Sequence, residues 1–92
     1  MVHLVTYDLK TPNDTSENYD RIIGAIKACG AWAHIEKSVW LLESNLTSVQ
    51  LRNHLRSYLS ANDPLFVAAI HGDWAGYNLD SGRVQWLKDR AF

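Results

Sequence analysis

The stretch Ala31-Trp32-Ala33-His34-Ile35-Glu36-Lys37-Ser38-Val39-Trp40-Leu41-Leu42-Glu43-Ser44 decides the fold. Ala31 to Glu36 and Ser38 to Ser44 carry the aromatic and β-branched side chains of strands. The break at Glu36-Lys37 leaves room only for a tight turn, so the two strands pair antiparallel. No Asn-Gly signal fixes the type of that turn.

Upstream, Tyr19, Ile22, Ile23, Ile26 and Cys29 recur at three and four residues, the apolar face of a helix. Asp14 with Glu17 forms its capping box and Gly30 its stop. Val2 to Asp8 precedes it as a strand, closed by the turn residues Lys10 to Asp14. Downstream, Thr47 with Gln50 caps a second helix whose stripe is Leu51, Leu55, Tyr58 and Leu59. Asn62-Asp63-Pro64 ends it, because proline disfavours helix at the residue before it. Leu65 to His71 is a further strand, stopped by Gly72. A short tail helix is expected after Asp80 or Ser81, bearing Val84, Leu87, Lys88 and Ala91. The order β-α-β-β-α-β plus a tail predicts an α+β, ferredoxin-like domain over residues 1–92, with a core of about 1–72 and a tail of about 73–92. Right-handed crossovers then place two helices on one face of a four-stranded antiparallel sheet.

At 92 residues the chain is one domain, 47% apolar and 21% charged, as expected of a soluble globular protein. A net charge of −1 supplies no broad field towards nucleic acid or anionic lipid, so such binding needs a local patch. No apolar run approaches the roughly 20 residues that span a bilayer, and no membrane partner is expected. The opening lacks the basic lead and apolar stretch of a signal peptide. A lone Cys29 makes neither an internal disulfide nor a cysteine-based zinc site. A cytoplasmic location is expected.

Leu65 to Ile70 and Val39 to Leu42 are apolar at successive positions, so both sheet faces should be covered, yet two helices cover one. The same face of a second copy would close the other, giving a two-fold homodimer. The alternative cover is the tail, with Trp74, Tyr77, Trp86 and Phe92.

Asp8 ends the first strand beside the turn of Glu36, Lys37 and Ser38 and beside Asp63. Converging oxygens of that kind suit magnesium; the competing role for Asp8 is a cap on the Thr11 to Asp14 turn. His3 and His71, with Asp73, invite a zinc reading, but no ligand spacing supports it, and hydrogen-bonded edge histidines are the plainer expectation. His34 and His54 read as ordinary strand and helix-surface residues. Cys29 reads as a small buried hydrophobe. Arg52 and Arg56, one turn apart, are candidate phosphate contacts or simply a solvated helix face.

Val2-His3-Leu4-Val5-Thr6-Tyr7-Asp8-Leu9, a helix bearing Arg21 and ending at Gly30, and Ser38-Val39-Trp40 opening a strand together resemble the ferredoxin-like small subunit of CRISPR adaptation. VapD-type toxins and SinR-like small proteins share the pattern, over roughly residues 1–71. The resemblance implies a homodimer packed through its sheets. In some members it implies a magnesium-dependent nuclease using the aspartate that ends the first strand, here Asp8, with the serine opening the third strand, here Ser38, close by. Others are DNA scaffolds or ribonuclease toxins. Glu36 stands where the family usually carries glutamine.

The leading expectation is a dimeric protein processing RNA or DNA. Asp8 residues hold magnesium that activates water and neutralises the scissile phosphate, Ser38 positions phosphate, and Arg52 and Arg56 bind it. The competing expectation is a non-catalytic homodimeric interaction, scaffold or regulatory module.

Overall fold

The computed structural model describes residues 1–10 and 16–90, with side chains from Tyr19 onward in the first helix. Its elements are β1 (Val2–Tyr7), α1 (Ser16–Ala28), β2 (Trp32–Glu36), β3 (Val39–Glu43), α2 (Ser48–Leu55), a 3-10 turn (Arg56–Tyr58), β4 (Leu65–Ala69) and α3 (Ser81–Lys88). The strands make one antiparallel sheet in the order β2-β3-β1-β4. The hairpin β2-β3 forms, but its turn is Lys37-Ser38 rather than Glu36-Lys37, so Ser38 lies in the turn and Val39 opens the strand; the shift comes with a bulge between His34 and Glu36 that adds a residue to β2.

Local chemistry sets the helix ends. Thr47 Oγ1 accepts from the Gln50 amide at 3.1 Å, and Gln50 Oε1 accepts from the Thr47 amide at 2.9 Å, a complete capping box. The α-helical part stops at Leu55, well before Asn62, and tightens into the 3-10 turn. Beyond it the chain is held in a turn: Asp63 Oδ2 accepts from the Ser60 amide at 2.9 Å, and the Asp63 amide donates to the Ser60 carbonyl. The expected Asp14–Glu17 cap falls on side chains outside those described.

Period-2 alternation divides the sheet cleanly. Val5, Tyr7, Trp40 and Leu42 face α1 and α2, where they meet Ile22, Ile26, Leu51 and Leu55 in the main core. Val2, Ala33 and Leu41 face the other way and pack on Leu87 of α3, with Leu4, Ile35, Ile70, Leu79 and Trp86 around them. The tail therefore supplies the alternative cover for the β2-β3 side of the second face. Two arginines fasten it. Arg83 Nε donates to the His34 carbonyl of β2. Arg90 lies over the Trp86 ring at 3.7 Å and pairs with Glu43 at 2.7 Å. Of the other tail aromatics, Trp74 and Tyr77 are exposed and Phe92 lies outside the described residues. On the β4 side Ile70 joins that cluster, while Phe66 is 58% exposed among the described residues.

Gly30 carries the sharp passage from α1 into β2. A Cβ there would collide with the Glu43 carbonyl oxygen, and that backbone is held because the Glu43 amide donates to Ala31 at 2.8 Å. Gly30→Ala is expected to cost about 2 kcal/mol or more, read as a lower urea midpoint; an unchanged midpoint would show that the β3 end yields freely.

Candidate functional site

Antiparallel pairing carries the end of β1 to the two places the sequence named. The Asp8 amide donates to the Pro64 carbonyl at 3.2 Å, and the Tyr7 amide to the Ser38 carbonyl at 3.4 Å. The Ser38 backbone thus pairs with Tyr7, the residue before Asp8, at one end of the sheet. The Asp8 carboxylate is largely exposed, and its Oδ2 lies 3.2 Å from Lys10 Nζ, itself 56% exposed. So open an ion pair contributes at most about 1 kcal/mol, so a competing cation or phosphate displaces it at little cost. The Thr11 to Asp14 turn, the competing partner for Asp8, lies outside the described residues. Beside Asp8 runs a groove of about 380 Å³ lined by Thr6, Tyr7, Asp8, Pro64, Leu65 and Phe66.

Asp63 is close in sequence to this groove but chemically occupied. Its Oδ1 accepts the Lys10 amide at 2.8 Å while Oδ2 holds Ser60. Glu36 is exposed at the end of β2. Among the described residues no three His, Cys, Asp or Glu side chains gather as a ligand set. The side-chain donor at this end is therefore the Asp8 carboxylate. Magnesium binds through one or two carboxylates and completes its shell with water and substrate phosphates, which this single acid fits.

Arg52 and Arg56 are exposed on α2 and its 3-10 extension. Arg52 also lines a second groove, with Ser48, Val49, Leu65, Phe66 and Val67. The two grooves meet at Leu65 and Phe66.

The histidines depart from expectation. β1 is an inner strand, and His3, paired with Leu42 and Ala69, points into the core beneath the helices. It is fully buried, and neither ring nitrogen has a hydrogen-bond partner. It is not the hydrogen-bonded edge histidine expected, and the exposed His71 does not share its environment. Burial holds the His3 pKa below its usual value, helped by the charged N-terminus and opposed by the Leu42 backbone. His34 is also more than an ordinary strand residue. Its ring stacks on Trp40 at 4.0 Å with planes 5° apart, and Nε2 lies 3.2 Å from the Lys37 carbonyl. Its period-2 step from Trp32, on the strand facing Trp40, was the signal.

Cys29 behaves as a core filler: Sγ donates to the Ala25 carbonyl at 3.1 Å, and burial pushes its thiol pKa up, away from the reactive thiolate. Tyr7 is raised too, by burial, against the hydrogen bond that Trp40 Nε1 donates to its hydroxyl at 3.2 Å.

No protein-family model matches the chain. No helix among the described residues is long and apolar enough to cross a membrane.

Proposed function

We propose that this chain is a ferredoxin-like, cytoplasmic subunit that works as a homodimer and processes RNA or DNA with magnesium at Asp8. The observation that carries this reading is the accessible Asp8 carboxylate beside an open groove, with the Ser38 carbonyl bonded to the adjacent Tyr7 amide. The strand order supports the fold name, since the ferredoxin-like plan places its first and third strands side by side at the centre.

Asp8 would be the protein ligand of the ion, with Lys10 released from its exposed pair to face phosphate. Bound there, magnesium supplies charge neutralisation at a phosphoryl group. Ser38 offers a hydroxyl to orient a phosphate oxygen, and Arg52 and Arg56 hold the strand by its backbone. The occupied oxygens of Asp63 favour a second reading, a non-catalytic homodimeric interaction module in which this end of the sheet is structural.

Asp8→Asn separates the two. Asparagine keeps the size and the backbone contacts but not the charge that holds a hard cation. Cleavage of single-stranded RNA or duplex DNA that needs magnesium should fall to background, with the melting temperature close to wild type. Undiminished cleavage in the variant would remove Asp8 from the site. No cleavage by either protein, and no magnesium effect on melting, selects the interaction module.

A further inference from the structure

The two edges of the sheet are not alike. Along β1, the bonds from Asp8 to Pro64 and from Ile70 to Val2 show that even-numbered residues of β4 exchange hydrogen bonds with β1. Leu65, Val67 and Ala69 therefore turn their amides and carbonyls outward, away from the sheet. That edge is Leu65-Phe66-Val67-Ala68-Ala69, without charge, proline or bulge. Free edges are normally blunted by such devices, because an open ladder pairs with another strand. The opposite edge, β2, has them: a bulge at His34/Glu36 and Arg83 bonded to the outward carbonyl of His34.

We infer that the β4 edge pairs with β4 of a second copy, antiparallel about Val67, joining two sheets into one. The inference rests on the homodimer reading above and moves its contact from the sheet face, partly occupied by α3, to the edge. The pairing is self-complementary at each step. About a two-fold axis through Val67, Leu65 faces Ala69 of the second copy, so each outward amide and carbonyl of the strand finds a partner. Phe66 faces Ala68 of the second copy in a non-hydrogen-bonded pair, the closer kind, where a large side chain needs a small one opposite it. The exposed Phe66 is thereby covered, and Ala68 gains what it lacks. Just beyond the strand, Asp63 comes opposite His71 of the second copy, an acid facing a base. Because α2 packs beside β4 and Arg52 lines the groove at that edge, the two Arg52 side chains approach the seam from both copies. The join thus concentrates positive charge on the helix side, the local patch that a chain of net charge −1 needs to hold phosphates.

Amide exchange on the full chain tests the edge directly. The amides of Phe66 and Ala68 are protected by β1 in every state and serve as internal controls. Those of Leu65, Val67 and Ala69 should exchange about tenfold or more slowly at high protein concentration than at low, as pairing closes the edge. A second test is Val67→Pro, which deletes an outward donor that β1 does not use, a position where an edge strand tolerates proline. It should sediment as a monomer with wild-type helix content, while Val39→Lys on the sheet face stays dimeric. A wild-type dimer whose odd-numbered β4 amides exchange fast, or whose dimer survives Val67→Pro and is lost with Val39→Lys, overturns the edge and keeps the homodimer. A wild-type monomer at every concentration reached by sedimentation overturns both. Should Val67→Pro fail to fold, the exchange profile of the wild type still decides.

Discussion

Trp40→Ala is expected to remove about 3–5 kcal/mol, the usual cost of truncating a fully buried tryptophan. The indole is 1% exposed, at the centre of β3 between the helices and β1. It is also the hub of an aromatic group: His34 stacks on one face, Trp32 meets it edge-on at 5.5 Å, and Nε1 donates to the Tyr7 hydroxyl at 3.2 Å. Truncation leaves His34 without its stacking surface and opens a void that α1 and α2 cannot close without leaving the sheet. For a domain of this size the total stability is on the order of 5–14 kcal/mol, so the variant keeps a small margin or none. Trp40→Phe is the informative control, since it keeps an aromatic ring and loses the N–H bond, worth about 1 kcal/mol, together with part of the ring volume. Urea unfolding followed by far-UV circular dichroism measures both. A loss below about 1 kcal/mol for Trp40→Ala would mean that β3 does not carry this side chain inward.

The burial of Trp40 was legible because it is a local matter: alternation in a short strand, next to a tight turn, fixes which side chains share a face. The same holds for the Thr47–Gln50 cap, the apolar stripes of α1 and α2, and the meeting of Ser38 with the end of β1, which follows once β1 and β3 pair. What escaped the sequence depends on contacts between distant segments. The docking of α3 is one case. Only Leu87 of that helix is buried, a weak pattern, and its attachment comes from Arg83 and Arg90 reaching β2 and β3. Asp63 is another: the sequence shows an acid near Asp8, but not that two backbone amides already hold its oxygens. His3 was misplaced for a different reason. It shares parity with Val5 and Tyr7, so alternation pointed inward, but its place near the start of a strand and opposite the region of His71 invited the reading of a hydrogen-bonded edge histidine. The inner position of β1 decided otherwise.

That position makes His3 a source of acid sensitivity in the fold. In the native state the ring is kept neutral by burial and has no hydrogen-bond partner to accept a second proton's charge. In the unfolded chain it titrates at its ordinary value of 6.5. The folded pKa lies lower, so above pH 6.5 neither state binds the extra proton and His3 leaves stability independent of pH. As pH falls below that value the unfolded state takes up the proton and the folded state does not. Stability then declines by up to about 1.4 kcal/mol per pH unit until the folded pKa is reached. His3→Leu removes the titrating group and both unpartnered nitrogens while nearly conserving volume. It should be at least as stable as wild type at pH 7.5, since an unmade buried hydrogen bond costs about 1–3 kcal/mol, and its advantage should grow as pH falls below 6.5. Urea midpoints of the two proteins across that range isolate the effect, because every group they share cancels in the difference. A constant difference between pH 7.5 and pH 5 would mean that His3 charges in place, and that the core around Leu42 and Ala69 admits water.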